Sequence, residues 1–261
     1  MNVEITWFGG ASVRLKDGRG RVIFIDPWLD APPGNAGCPI GVKDVTRADL
    51  VLVTHGDPGH YGRGDGVRIA RQVGCTYATN EPLCRYVVEK GLLPAAQARG
   101  LALQQPTDLG VAEVYVFPIV HPHWVPPAGY EIPRELNTGF TVDFDGLTLL
   151  YAGDTVPGDE IYRSVGAARR PKLGILPIGS PAGSHGTLES TAQTVAAIVQ
   201  MTGVRYVIPH YNYHKDGNPA VEMLRKALEP VGAELISLQP GGTVRFGPES
   251  FASAKPMVLA S

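Results

Sequence analysis

Seven histidines stand out in this sequence: His55, His60, His121, His123, His185, His210 and His214. Imidazole is the commonest side-chain ligand for transition metals and titrates nearest neutrality. Their placement follows the hydrophobic pattern. His55 and His60 come after the apolar run 49–54, His121 and His123 after 113–118, and His210 after 205–209. His214 lies four residues past His210, and His185 lies in a Gly/Ser/Pro loop beyond 173–177. None falls on an expected helix or in mid-strand. Loops at strand ends are where a rigid scaffold presents working side chains. A carboxylate joins the set, because the apolar run 149–151 leads through Ala152-Gly153 to Asp154. A charge at the tip of a buried strand needs a cation or backbone donors. The competing expectation is a helix cap, but Asp154 stands several residues before the helix start expected near Gly158. Histidines with a carboxylate suit Zn²⁺, Mn²⁺ or Fe²⁺. Such an ion would lower the pKa of bound water to about 7.

The elements that must position these groups are read from periodicity and turn chemistry. Residues 3–7 and 12–16 alternate apolar and polar, with Asp17-Gly18 as a turn signal. Residues 21–25 and 49–54 are nearly all apolar, the pattern of strands buried on both faces. A Pro/Gly-rich loop spans 31–41, and helices are expected over 67–73 and 82–90, the second stopped by Gly91. Strands follow over 113–118, 139–144 and 147–151, the last two joined at Asp145-Gly146. Then strands at 173–177 and 205–209 alternate with a helix over 188–201. That helix carries Ala192, Val195, Ala196 and Val199 on one face. A further helix starts at Asn218-Pro219, and strands are expected at 234–238 and 243–246. This predicts one α/β domain over 1–247 with two packed sheets, and a loose tail over 248–261.

Composition sets outer limits. Lys and Arg total 23 against 25 for Asp and Glu, giving a net charge of −2. That is too little positive charge for a protein that tracks nucleic-acid phosphates. Only 18% of residues are charged while 44% are hydrophobic, which argues for a packed core rather than disorder. With 32 Gly and 23 Pro, turns between short strands are favoured over a helical bundle. No apolar run approaches the roughly 20 residues of a membrane span. The three cysteines, Cys38, Cys75 and Cys84, are widely spaced, so neither a disulfide framework nor a Cys-x-x-Cys site is expected. The N-terminus lacks a secretory pattern, and a cytoplasmic protein is expected. No Gly-x-Ser-x-Gly or strand-linked Gly-x-Gly-x-x-Gly is present, which disfavours serine hydrolases and dinucleotide enzymes.

Six separated stretches together resemble the metallo-β-lactamase superfamily. They are Ile5-Thr6-Trp7-Phe8-Gly9, Ile25-Asp26-Pro27-Trp28-Leu29, Leu52-Val53-Thr54-His55-Gly56, Pro118-Ile119-Val120-His121, Ala152-Gly153-Asp154-Thr155 and Ile208-Pro209-His210-Tyr211. Leu176-Pro177-Ile178-Gly179 matches as well. The nearest branch is that of metal-dependent hydrolases similar to L-ascorbate-6-phosphate lactonases. The resemblance implies a four-layer αββα sandwich, with two mixed sheets and helices on the outer faces. It also implies that His55, Asp57, His121 and Asp154 hold one ion, and that His60, His210 and Asp154 hold a second.

The chain departs from the family in its metal loop. The family reads His-x-His-x-Asp-His; here the loop is His55-Gly56-Asp57-Pro58-Gly59-His60. Asp57 takes a histidine position and Gly59 an aspartate position, so one ion is expected to be held well and the second weakly or not at all. Pro58 should stiffen the loop, and Gly59 should permit a positive-φ turn. The implied cofactor is Zn²⁺ or Mn²⁺, with Fe²⁺ after them. The implied reaction is attack by a metal-bound hydroxide on a small-molecule lactone, ester, amide or phosphoester. Asp154 would position the nucleophile, Asp57 would complete the site, and His60 or another loop histidine would give a proton to the leaving group. His123, His185, Tyr211 and His214 are candidate substrate contacts, and the long Pro-rich loop 124–136 is a candidate lid. Two alternatives stand beside this. One is a mononuclear non-haem iron oxygenase on His55, Asp57 and His121; the other is a non-catalytic binding protein with a degenerate site. No nucleic acid or membrane partner is expected, and the lactonase-like resemblance is compatible with a homo-oligomer.

Overall fold

Two mixed β-sheets lie face to face in the computed structural model. It describes residues 1–30, 37–121, 126, 128–156, 158–178, 187–210, 219–252 and 255–259. The first half of the chain runs through β1 (Val3–Trp7), β2 (Val13–Asp17), β3 (Val22–Ile25), β4 (Leu50–Val53), α1 (Pro58–Tyr61), α2 (Asp65–Val73), β5 (Thr76–Asn80), α3 (Glu81–Glu89) and β6 (Ala98–Leu101). The second half continues through β7 (Pro106–Asp108), β8 (Glu113–Pro118), β9 (Thr138–Phe144), β10 (Leu147–Tyr151), α4 (Asp159–Arg169), β11 (Leu173–Pro177), α5 (Leu188–Thr202), β12 (Tyr206–His210), α6 (Pro219–Leu228), β13 (Glu234–Leu235), β14 (Thr243–Phe246) and β15 (Met257–Leu259).

The first sheet has the order β15-β14-β1-β2-β3-β4-β5-β6, and the second β13-β12-β11-β10-β9-β8-β7. Each begins antiparallel and becomes parallel: β3 to β6 in one, β10 to β13 in the other. Buried alternation explains the layering. Ile23, Ile25, Leu50 and Leu52 join the core between the sheets with Val116, Phe140 and Leu149. Phe24, Val51 and Val53, pointing the other way, pack with Val67, Ile69, Leu83 and Val87 of α2 and α3. Tyr162 and Val165 of α4, Val195 and Ile198 of α5 and Leu224 of α6 extend the main core on the far side. The result is the expected αββα sandwich. The three cysteines are free thiols, and among the described residues no helix is long and apolar enough to cross a membrane.

Two expectations are corrected here. Among the described residues, the segment beyond Pro248 is tied to the fold: β15 pairs antiparallel with β14, after a 3-10 turn over Pro248–Phe251. Phe251 stacks on Phe246 with centroids 5.7 Å apart, and the Tyr206 hydroxyl donates to Ser250 O at 2.7 Å. Gly59 does not supply a positive-φ turn either. Pro58 at the first helical position starts α1, with Asp57 extended just before it, so Gly59 is helical. The left-handed residues come later, at Gly62, Arg63 and Gly64. Gly62 is needed there, because a Cβ would sit 2.5 Å from Pro27 O.

Candidate metal centre

Strands β3, β4, β8, β10 and β12 all run toward one rim of the sandwich, the carboxyl-end location favoured for ligand sites in α/β folds. Each delivers a polar group there. Asp26 follows β3, Thr54 and His55 follow β4, His121 comes three residues after β8, Asp154 three after β10, and His210 ends β12. Gly153, at φ 57°, makes the bend that carries Asp154 inward. A bridge between Val120 and Val156 fixes the His121 and Asp154 segments side by side. Asp154 caps no helix: α4 begins at Asp159 behind Gly158. His60 sits on α1 rather than in an open loop.

Five of the expected ligands converge. Ligand atoms of His55, His60 and Asp154 lie within 4.8 Å of one another, as do those of His55, Asp57 and His121. His60 Nε2 is 2.9 Å from Asp154 Oδ1, and His121 Nε2 is 3.3 Å from Asp57 Oδ2 and 3.8 Å from Asp154 Oδ2. Asp154 thus stands between the two groups. His210 borders the His60 side, with ring centroids 6.3 Å apart, and stacks flat on Tyr151 at 5.6 Å. His123, His185, Tyr211 and His214 lie outside the described residues.

The hydrogen-bond network fixes the histidine tautomers. Asp26 is fully buried. Its Oδ1 accepts from Thr54 N at 2.7 Å and its Oδ2 from the Thr54 hydroxyl at 2.7 Å. A hydroxyl with its proton committed can only accept, so His55 Nδ1, 2.9 Å away, must be the donor. The His55 lone pair is therefore on Nε2, which is buried and has no hydrogen-bond partner. Burial, then the nearby His60 and His121 rings, hold the His55 pKa well below its usual value. A neutral imidazole with a buried, unsatisfied lone pair among carboxylates is what a divalent cation requires.

His60 is the opposite case. Burial alone would strip its proton, but Asp154 on Nε2 and Asp26 on Nδ1, the latter at 2.5 Å, outweigh that and push its pKa up to about 10. These two residues predict a pH profile for the metal-free protein. His60 is stabilised by protonation, so its contribution is complete below about pH 6.5 and is lost as pH rises toward about 10. His55 resists protonation, so stability also falls as pH drops below the unfolded-state pKa of about 6.5. Urea unfolding in chelator should peak near that pH and decline on both sides.

Residues 21–211 match the profile of the beta-lactamase superfamily domain. The chain belongs to the metallo-β-lactamase superfamily. Within it, the chain is 30% identical over 249 residues to a UPF0173 metal-dependent hydrolase of Chloroflexus aurantiacus, covering 93% of this chain and 97% of that one. It is an enzyme of that metal-dependent hydrolase family. Among solved structures, Igni18, a metallo hydrolase from Ignicoccus hospitalis, superposes with a TM-score of 0.73 at 25% identity, over 95% of this chain and 99% of that one. CmlA, a diiron β-hydroxylase from Streptomyces venezuelae, shares the fold alone, with a TM-score of 0.69 at 16% identity over 94% of this chain and 54% of that one.

Within this metallo-β-lactamase scaffold, the structure adds residues that the sequence reading did not place in the site. Asp26 and Thr54 form the buried hub described above. Thr54 O also accepts from Asn80 Nδ2 at 3.0 Å and from Thr138 Oγ1 at 2.6 Å, tying the hub to both sheets. A strap over 128–137 crosses the metal loop. Tyr130 donates its hydroxyl to Gly56 O, and the Arg134 Nε–H donates to Asp57 Oδ1. Part of the expected lid is thus in contact with the site loop. Gly56 is obligatory under the strap, since a Cβ would lie 2.1 Å from Pro133 O and 2.8 Å from Ile132 Cγ2. Gly56→Ala should therefore displace the strap and destabilise the protein by about 1–3 kcal/mol, read by chemical denaturation.

Proposed function

We propose that the chain hydrolyses a small molecule at a centre built for one firmly held divalent ion, with His55, Asp57, His121 and Asp154 as its ligands. The observation that carries this reading is the His55 Nε2 lone pair, buried and unsatisfied beside Asp57, Asp154 and His121. A second, weaker position would fall to His60, His210 and Asp154. Bound at this centre, a divalent ion supplies Lewis acidity and brings the pKa of a water to about 7. Zn²⁺ or Mn²⁺ suits the mixed nitrogen and oxygen donors.

The protein's own groups divide the remaining work. Asp154, between His60 and His121, is positioned to take a proton from the attacking water and to orient it. Asp154, with a 13% exposed side chain, and Asp57 and His121, with 8% each, form the wall that reaches solvent. His60 has no exposed surface, and its two nitrogens face Asp26 and Asp154, so it serves as ligand and charge partner rather than as donor to a leaving group. Leaving-group protonation and substrate contact are assigned to His123, His185, Tyr211 and His214. Lactones are the first substrates to try, given the lactonase-like motifs, followed by esters, amides and phosphoesters. Three free thiols suit a reducing compartment, and we place the enzyme in the cytoplasm.

Elemental analysis by mass spectrometry, followed by turnover on a panel of these compounds, tests the reading. About one Zn²⁺ or Mn²⁺ per chain is expected, with activity lost to chelator and restored by the ion. Protein that takes up no ion from supplemented medium would refute it. Gly59→Asp should raise the content toward two per chain. The backbone at 59 is helical and carries no positive-φ strain against a side chain, so an unchanged content would show that more than the missing carboxylate excludes the second ion. One observation favours a second reading: His55, Asp57 and His121 form a two-histidine, one-carboxylate group of the kind that holds oxygenase iron. Iron in the purified protein together with substrate-linked oxygen uptake would select it.

A further inference from the structure

We propose that Asp57 and Arg134 act as one charge-compensated ligand, the guanidinium cancelling the charge of the carboxylate so that the pair presents the ion with the net charge of an imidazole. This rests on the metal-centre reading above and adds to it the strap residue that makes Asp57 usable. Asp57 divides its two oxygens. Oδ1 takes the Nε–H of Arg134, while Oδ2 faces His121 Nε2 at 3.3 Å. Both partners are largely withdrawn from water, with 8% of the Asp57 side chain and 22% of the Arg134 side chain exposed. In such surroundings one unbalanced charge acts strongly on a neighbour a few ångströms away. The centre already holds Asp26 and Asp154, with His60 between them as their one shared cationic partner, so a third carboxylate without a counter-charge of its own would add to a centre that is already net anionic. Arg134 removes that excess. It comes from a segment 77 positions along the chain, carried across the loop by the strap.

Asp57 and Arg134 should then be exchangeable only together. Replacing Asp57 by a neutral imidazole keeps a donor for the ion but removes the carboxylate that faces the guanidinium and sets that cation beside a divalent one. Arg134 is a positioning and charge-balancing residue in this account, and the readout is ion affinity rather than turnover.

The test is calorimetric titration of the full-length, chelator-stripped protein with Zn²⁺, with thermal melts to verify folding. Asp57→His should weaken Zn²⁺ binding about 30-fold or more, from charge repulsion alone. Asp57→His with Arg134→Gln should return to within about fivefold of the unmodified protein. Arg134→Gln alone should not weaken binding. Asp57→His with Arg134→Lys retains the charge and should stay as weak as Asp57→His, which separates charge from packing and keeps the test decisive if the Gln variant folds poorly. Equal cost of Asp57→His with Arg134 or with Gln at that position would overturn the proposal while leaving the metal centre intact. So would a loss in Arg134→Gln as large as that in Asp57→His. Failure of the unmodified protein to bind Zn²⁺ or any other divalent ion would overturn both.

Discussion

Asp154→Ala is expected to abolish ion retention and turnover together. The residue follows β10 across the Gly153 bend and faces His60 through one oxygen and His121 through the other. Loss of an outer partner of a metal ligand costs roughly 10- to 100-fold in affinity. Loss of a carboxylate set between two histidine groups should exceed that range. Its side chain is 13% exposed at the rim, so its removal leaves the core packing intact. Circular dichroism should be unchanged while Zn²⁺ or Mn²⁺ content falls to background. Asp154→Asn, which keeps a neutral oxygen, should give an intermediate content. His121→Ala should reproduce the loss. A double variant of His121 and Asp154 that still turned over a known substrate would show that the chemistry lies elsewhere.

Asp26→Ala should injure both fold and site. It leaves three donors without their acceptor: Thr54 N, Thr54 Oγ1 and His60 Nδ1, all buried. Breaking a buried charged pair from one side typically costs about 3–5 kcal/mol. Ion affinity should fall about 10- to 100-fold besides, because His60 loses the partner that sets its ring and His55 loses the fixed hydroxyl that sets its tautomer. Asp26→Asn can keep the bond from Thr54 N but turns a donor toward either the threonine hydroxyl or His60. It should fold better than the alanine variant and still bind the ion poorly. Urea denaturation and ion titration of the two variants separate these effects. Equal ion affinity in all three proteins would remove Asp26 from the site.

The parts that were legible in the sequence share a physical cause. Residues 21–25 and 49–54 are apolar on both faces because both faces are buried, and such runs have few other uses. Polar groups at the tips of buried strands, His55, His121, Asp154 and His210, converge because β4 of one sheet and β8, β10 and β12 of the other run toward the same rim. Asp26 was equally available at the end of β3 but entered only as part of a stretch that resembles the family, since its burial depends on Thr54 and His60 folding over it. Arg134 left no local signal at all; its partner is set by the path of the strap. The edge strands β6 and β7 were missed for lack of pattern. β6 reads Ala-Arg-Gly-Leu, and β7 begins with Pro106, a residue tolerated at sheet margins. The Gly59 expectation failed because Pro58 is a helix starter before it is a loop stiffener.

Both histidine–carboxylate groups draw members from the two sheets: His55, Asp57 and His60 follow β4 of one, while His121 and Asp154 hang from β8 and β10 of the other. An ion held there is a cross-brace between halves of the chain that otherwise meet through apolar side chains and a few hydrogen bonds, such as those from Thr138 to Thr54 O and from Tyr151 to Ala11 O. Shear of one layer past its neighbour by a fraction of a bond length would disturb the coordination before any strand unzipped, so release of the ion would be the earliest sign that the sandwich is coming apart.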